Sequence, residues 1–197
     1  MRDYIIRNKE KLKRLLDETG ATDRSGSVLV LEEALEKAAA MITERANTRK
    51  KAILIGNGAS AAMASHIATD LWKNGGVRAI AFNDASGLTC VSNDFGYEHV
   101  FEKPLEMFAD HGDMLIAISS SGRSENILSA VKRAMENKLK IITLSGFKED
   151  NPLRAMGDIN FYVPSDSYGQ VEVIHHSICH CLVDITVMVN NGQIQNR

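Results

Sequence analysis

The chain has 197 residues, of which 44% are hydrophobic and 24% charged, the composition of one soluble globular domain with a single core. A net charge of −2 gives no electrostatic reason to expect a nucleic acid as the main partner. The charged first twenty residues are not a secretory signal, no apolar run approaches membrane-spanning length, and three cysteines make no disulfide framework. We therefore expect a cytoplasmic protein with no membrane contact and no direct contact with nucleic acid.

Two amphipathic helices are predicted before any strand, over residues 3–18 and 28–45, with a polar turn at 19–27 between them. Their apolar stripes need a surface to cover, which either their own sheet or a partner subunit would provide. These helices form the N-terminal part of the chain, residues 1–48, and an α/β core follows over residues 49–197. We expect a single domain, 1–197, because no linker, repeat or low-complexity tract separates the two parts.

Five short apolar strands alternate with helices through the core, and they are predicted over 52–55, 78–82, 114–118, 140–144 and 159–163. The helices are predicted over 60–73, 97–109, 125–137, 151–156 and 171–189, whereas 83–94 is predicted as a turn-rich link. This alternation indicates an α/β fold with a five-stranded parallel sheet that is covered by helices on both faces. Such sheets bind ligands at the carboxyl ends of their strands.

A glycine-rich turn, GNGAS, joins the first predicted core strand to its helix and contains Asn57, Gly58 and Ser60. Glycine permits positive φ and a close approach of the backbone to a ligand, and the helix N-terminus favours an anion. The turn matches neither G-x-G-x-x-G nor a P-loop, since no Gly-Lys-Ser/Thr follows. On its own it predicts a phosphate site no better than a simple strand-to-helix turn.

A serine-rich loop, ISSSGRSEN, follows the third predicted core strand and opens the next helix. It carries four hydroxyls in six residues, at Ser119, Ser120, Ser121 and Ser124. Ser124 alone would serve as the helix N-cap, so the other three hydroxyls exceed what a cap needs. Together with the N–H groups of the helix N-terminus, they predict an uncharged cradle for a phosphate.

Ionisable residues recur at a spacing of four on two predicted helices. His66 and Asp70 share a face of the first core helix, and Glu172, His176 and His180 share a face of the last. Imidazoles and carboxylates from two helices would bind a divalent cation or transfer protons. Solvated residues are the alternative, although the last helix, VEVIHHSICHCLVDITVMV, is strongly apolar.

Four segments together resemble the sugar isomerase (SIS) domain of the phosphoheptose isomerase family over nearly the whole chain: GNGASAAMASHIATD, VSNDFGYEHVF, ISSSGRSEN followed by IITLSG, and VEVIHHSICH. The resemblance implies a flavodoxin-like, five-stranded parallel sheet. It also implies a homotetramer with the N-terminal helices in a central bundle and with active sites between subunits. Members convert sedoheptulose 7-phosphate to a heptose 7-phosphate for bacterial lipopolysaccharide or capsule. Relatives of the same fold are regulators that bind a replication-initiation protein.

The resemblance also implies roles for individual residues. Phosphate binding is expected at Ser60, Ser119, Ser120, Ser121 and Ser124, and sugar contacts at Asn57, with Gly58 beside it, at Asp94 and at Glu172. The zinc-binding positions of the family fall on His66, Asp70, Glu172 and His180. The proposed acid–base pair falls on Asp70 and His180. Judged locally, however, ordinary Asn/Asp turn chemistry accounts for Asp94 in SNDFGY.

Several positions depart from the family pattern. Asp70 and Glu172 stand where members have glutamate and glutamine, and Ala59 and Gly169 replace a glycine and an aspartate. These changes predict an altered sugar pocket and a zinc site of no net charge. Both positions of the acid–base pair, Asp70 and His180, still carry ionisable residues, which favours an aldose–ketose isomerase over a non-catalytic sugar-phosphate-binding or initiator-binding regulator.

Overall fold

The computed structural model describes residues 1–194, which contain a single seven-stranded sheet. The strands are β1 (Gly20–Asp23), β2 (Val28–Leu29), β3 (Lys51–Gly56), β4 (Arg78–Ala81), β5 (Met114–Ser119), β6 (Lys140–Gly146) and β7 (Ile159–Val163). The helices are α1 (Arg2–Asp17), α2 (Leu31–Asn47), α3 (Ala59–Lys73), α4 (Ala85–Phe95), α5 (Glu102–Phe108), α6 (Glu125–Glu136) and α7 (Tyr168–Asn190). Short 3-10 turns lie at Tyr97–His99 and Pro152–Ala155.

The sheet runs in the order β2-β1-β7-β6-β5-β3-β4. Its five core strands, β3 to β7, pair in parallel, which confirms the predicted flavodoxin-like α/β fold. The chain leaves β3 for β4 on one side and returns to β5 on the other, so the topological switch point lies between β3 and β5. Ligands of doubly wound sheets bind at such a point, beyond the carboxyl ends of the strands.

Two further strands at the β7 edge were not predicted. The polar segment 19–27, predicted as a turn, contains the strand β1 and the tight turn that joins it to β2. Strand β1 pairs antiparallel with both β7 and β2. Helix α2 consequently begins at Leu31 instead of residue 28. The carboxylate of Asp23 accepts hydrogen bonds from the backbone N–H groups of Ser25 and Ser27 and so closes the hairpin. Strands of four and two residues are too short to show a period in the sequence.

The sheet is covered on both faces, because successive side chains of its central strands point to opposite sides. On one side, Leu54 of β3 packs in a core with residues of α1, α2, α3 and α7. On the other side, Ile53 and Ile55 pack with residues of α5 and α6. The predicted arrangement of three layers, helix, sheet and helix, is therefore present.

Helix α7 contains an 18-residue window with a mean hydropathy of 1.3, so by length and composition it is apolar enough to cross a membrane. The prediction that no apolar run approaches that length is wrong in this respect. However, 44% of the window is buried within the protein, where α7 packs against α2 and α3. One such helix is weak evidence for a membrane span, because core helices of soluble proteins meet the same length and composition criteria.

The segment 83–109 differs from its prediction. Residues 85–95, predicted as a turn-rich link, form α4, which the Asp84 carboxylate caps by accepting a hydrogen bond from the Gly87 N–H. Asp94 therefore lies in the last turn of a helix and not in a loop. The helix predicted over 97–109 is divided into the 3-10 turn and α5, and Phe101 between them is buried.

Candidate functional site

The glycine turn and the serine loop meet at the switch point of the sheet. Gly56 at the end of β3 pairs with Ile118 of β5, so both loops begin side by side. The two loops, with the start of α7, line one cavity: its lining residues are Asn57, Ser60, Ile118, Ser119, Ser120, Ser121, Ser124, Tyr168 and Glu172. All five serines predicted to bind phosphate thus line the same cavity.

Glycine is required at two points of the first loop. Gly58 has φ +55°, a conformation that other residues adopt only with strain. A Cβ on Gly56 would lie 2.6 Å from backbone atoms of Ser60, so any side chain there would push α3 away from the strand. These two glycines let the chain reverse tightly enough to bring Ser60 into the cavity.

Three helix N-termini converge on the cavity. Ser60 lies in the first turn of α3, Ser124 immediately precedes α6, and Tyr168 is the first residue of α7. None of these three helix starts has a side-chain cap on its first N–H groups. Ser60, Ile127 and Gln170 donate theirs to nearby carbonyls, so the earlier N–H groups of each first turn are the ones left for a ligand. Free N–H groups and the positive ends of three helix dipoles favour an anion.

Ser124 does not act as the simple helix cap that was the alternative explanation of the serine loop. Its side chain makes no capping hydrogen bond, and its hydroxyl instead lies 3.4 Å from the Ser119 hydroxyl. The Ser121 hydroxyl accepts a hydrogen bond from the Arg123 N–H. The serine hydroxyls therefore line the cavity and do not cap the N-terminus of α6.

Asn57 is fixed by two residues that the sequence analysis did not assign to the site. The side chains of Asn57 and Asn126 each donate one amide hydrogen bond to the other, both at 2.9 Å. The Tyr97 hydroxyl donates a third hydrogen bond, at 3.0 Å, to the Asn57 Oδ1. Asn126 stands at the end of the ISSSGRSEN motif, but only the fold shows that it faces Asn57.

The second cluster lies where α3 packs on α7. His66 Nε2 is 3.3 Å from Asp70 Oδ2, and the same oxygen is 4.0 Å from His180 Nδ1. His176 adds a third ring: its centroid is 5.5 Å from that of His66 and 4.6 Å from that of His180. Burial lowers the pKa of His176, and the neighbouring His180 and His66 lower it further.

Glu172 connects the two parts of the site. It lines the serine cavity, and it also lines an adjoining, mainly apolar groove together with His66 and His176. A molecule with its anionic end among the serines would therefore reach the imidazoles past Glu172.

Asp94 does not line the serine cavity. It lies on an exposed surface of α4 beside Cys90, Asn93 and neighbouring residues of the same helix, and its carboxylate accepts a hydrogen bond from the Asn93 amide. Within one chain, the predicted residues therefore fall into two adjoining groups, the serine cavity and the cluster of His66, Asp70 and His180. Gly58 belongs to the turn beside the cavity without lining it, and Asp94 lies apart from both groups.

The fold and this site correspond to a known class of protein. A sequence model of the SIS domain matches residues 27–146. The phosphoheptose isomerases of Proteus mirabilis (strain HI4320) and Helicobacter pylori (strain ATCC 700392 / 26695) are 38% and 34% identical to the chain. The alignments cover 78% and 77% of the chain, and 82% and 84% of the two relatives.

Two solved structures are similar to the whole fold. The phosphoheptose isomerase of Neisseria gonorrhoeae superposes with a TM-score of 0.81 at 29% identity, covering 93% of this chain and 97% of that one. The one from Francisella tularensis also gives 0.81, at 31% identity, covering 94% and 97%. The chain therefore belongs to the phosphoheptose isomerase family of SIS-domain proteins.

Proposed function

We propose that the protein is an aldose–ketose isomerase that converts sedoheptulose 7-phosphate to a heptose 7-phosphate. The observation that carries this proposal is that Glu172 lines both the serine cavity and the adjoining groove, which His66 and His176 of the second cluster also line. One end of the site suits a phosphate, and the other carries groups that exchange protons. A heptose or another sugar phosphate of a variant pathway would use the same two ends.

The phosphate is proposed to bind at the convergent helix N-termini and to the hydroxyls of Ser60, Ser119, Ser120, Ser121 and Ser124. This cradle contains no cationic side chain among its lining residues, so hydrogen bonds and helix dipoles supply the attraction. Asn57, held by Asn126, would contact the sugar beside the phosphate, with Gly58 giving close backbone access. Binding at the phosphate fixes the position of the reacting carbons at the far end.

Isomerisation moves a proton between adjacent carbons of an α-hydroxycarbonyl through an enediol(ate). A base must remove the first proton and an acid must return it to the neighbouring carbon. We assign these roles to Asp70 and His180, because the carboxylate lies between the rings of His66 and His180, 3.3 Å and 4.0 Å from their nearest nitrogens. Solvent reaches this end of the site, since the side chains of His66 and His180 are about half exposed.

The donor set of the second cluster fits a divalent cation, proposed to be zinc. The family pattern gives His66, Asp70, Glu172 and His180 as the ligands, and imidazole with carboxylate is a donor set that zinc accepts. An orphaned buried atom, the His176 Nε2, adjoins these residues and supports the fit. When bound, the ion would polarise the carbonyl and hydroxyl oxygens of the substrate. Metal binding and proton transfer would then compete for the same lone pairs of Asp70 and His180.

We further propose a cytoplasmic homotetramer with active sites between subunits. Support comes from α1, on which Tyr4, Ile5 and Ile6 are exposed in the single chain although they continue its apolar stripe. Asp94, which does not line the cavity in its own chain, would meet a sugar only at such a boundary or after a local movement. The three cysteines are unpaired, as in a reducing compartment.

The activity is tested by incubating the purified protein with sedoheptulose 7-phosphate, with and without zinc, and looking for an aldose product. His180→Ala should lower the turnover by at least about 100-fold, the usual contribution of a general acid or base. A panel of ketose phosphates tests other chain lengths. Binding of the sugar phosphate without turnover of any of them would instead identify a binding protein.

A further inference from the structure

His176 belongs to the cluster of imidazoles with His66 and His180, although the resemblance to the family assigns it no role. Within residues 1–194, one set of three or more His, Cys, Asp or Glu donors has all its ligand atoms within 4.8 Å of one another. That set is His66, His176 and His180. Neither Glu172 nor Asp70, the two family-implied carboxylate ligands, is part of it, but an Asp70 carboxylate oxygen lies 3.3 Å from His66 and 4.0 Å from His180.

The state of the His176 side chain also points to a ligand. Its Nε2 atom is buried and has no hydrogen-bond partner among the described residues. A buried polar nitrogen without a partner costs free energy, so it is rarely left alone in a folded protein. The surroundings offer two other imidazoles and an adjacent carboxylate, which are the partners a shared cation requires.

Helix geometry separates the roles of Glu172 and His176. The two lie one turn apart on α7, and His176 is one turn from His180 in the other direction. His176 therefore stacks beside His180, with ring centroids 4.6 Å apart, whereas Glu172 extends along the helix to the wall of the serine cavity.

We propose that His176 is a metal ligand in this protein, and that it takes the place that Glu172 would have in the family pattern. A divalent cation would then bind to the imidazoles of His66, His176 and His180, with the Asp70 carboxylate beside two of them. This inference deepens the proposed function, on which it rests for the identity of the site.

With His176 in place of Glu172 as a ligand, the net charge of the metal site changes and the Glu172 carboxylate is left unbound. Two carboxylates would neutralise a divalent ion, whereas Asp70 alone leaves the ion and its ligands with one positive charge. A positively charged site polarises a substrate oxygen more strongly than a neutral one. Glu172, no longer a ligand, is the carboxylate that remains free to face the sugar.

Metal binding without any sugar tests the proposal. Metal-free protein is titrated with Co²⁺, followed by its visible absorption, and with Zn²⁺ by competition against a chelating dye. His176→Leu is compared with Glu172→Leu, which removes every possible ligand atom at that position, and with His111→Leu, a matched control at an exposed histidine outside the cluster. His176→Asn is the second variant, and the melting temperatures of the metal-free forms show whether each one folds.

His176→Leu should raise the Kd by at least about tenfold and alter the Co²⁺ spectrum, since even indirect supports of metal ligands contribute that much. Glu172→Leu and His111→Leu should stay within about threefold of the unaltered protein. The proposal is overturned if the unaltered protein binds neither ion, if a folded His176→Leu protein keeps its affinity, or if Glu172→Leu loses as much affinity as His176→Leu. Since no substrate is present, an absence of isomerase activity would count against the proposed function alone.

Discussion

The side chains of Asn57 and Asn126 form a reciprocal amide pair, in which each donates one hydrogen bond of 2.9 Å to the other. Asn126 is almost fully buried at the start of α6, whereas Asn57 lies at the cavity wall. The Asn126 Oδ1 also accepts a hydrogen bond from the Ile127 N–H. The pair therefore links the glycine turn to the serine loop across the switch point of the sheet.

Replacing Asn126 by leucine should weaken both folding and substrate binding. The Asn57 amide loses its partner, which costs about 1–3 kcal/mol of unfolding free energy, and its orientation is no longer fixed. We expect a higher KM for the sugar phosphate with a smaller change in kcat, measured alongside urea unfolding. Tyr97→Phe, which removes one hydroxyl and leaves the amide pair intact, is the matched control and should show a weaker effect on both. An unchanged KM in a folded Asn126→Leu protein would contradict the positioning role.

If the serine cradle binds phosphate, removing one of its hydroxyls should weaken the binding of phosphorylated sugars only. Ser119→Ala should raise the KM for sedoheptulose 7-phosphate by about 10- to 100-fold, since hydrogen bonds to a charged group contribute roughly 1.5–3 kcal/mol. The same substitution should leave the weak binding of unphosphorylated sedoheptulose unchanged. Ser129→Ala on α6, outside the cavity, is the control. Equal losses for both sugars would show that Ser119 serves the fold and not the phosphate.

Much of this architecture could be predicted from the sequence. The parallel strands are continuous apolar runs separated by helix-length segments, so their number and their positions along the chain followed from the pattern. The hairpin of β1 and β2 could not, because GATD and the two residues of β2 are too short to show a period. Residues 85–95 were misassigned because Gly, Ser and Asn favour turns individually, while the cap at Asp84 determines where the helix begins.

For the site too, features within one segment could be predicted, and contacts between distant segments could not. The serines and the histidine spacings were visible because their signals lie within single segments. The pairing of Asn57 with Asn126 joins residues 69 apart in the chain, and the meeting of His176 with His66 depends on how α3 packs on α7. Such relationships depend on tertiary packing, which periodicity does not describe.

The buried His175 should lower the free energy of unfolding of the protein in acid. It is fully buried, its Nε2–H donates a hydrogen bond of 3.0 Å to the Ser145 carbonyl, and burial lowers its pKa from 6.5 to about 4. As the pH falls below 6.5, His175 becomes protonated in the unfolded chain but stays neutral in the folded protein. The free energy of unfolding should therefore fall by roughly 3 kcal/mol between pH 6.5 and pH 4, and should be independent of this group above pH 6.5.

The contribution of His175 can be isolated with His175→Gln, whose amide can still donate to the Ser145 carbonyl but does not titrate. Urea unfolding of both metal-free proteins at pH 7.5, 6.0 and 5.0 gives the difference between them, from which the other histidines cancel. The variant should be less stable at pH 7.5 and should lose less stability on acidification. Parallel pH profiles for the two proteins would show that His175 does not titrate on unfolding as described.

The exposed stripe of α1 predicts how the subunits assemble. Ile5 and Ile6 are about half exposed in the single chain, whereas Leu15 further along the helix is buried against the core. The double variant Ile5→Glu, Ile6→Glu should therefore dissociate the proposed tetramer, because burying two carboxylates in an apolar interface is costly. Light scattering after size-exclusion chromatography should give four times the chain mass for the unaltered protein and a smaller multiple for the variant. Lys9→Glu on the exposed side of the helix changes the net charge equally and should leave the mass unchanged. If the double variant keeps the full mass, α1 does not form the interface, and the stripe needs another partner.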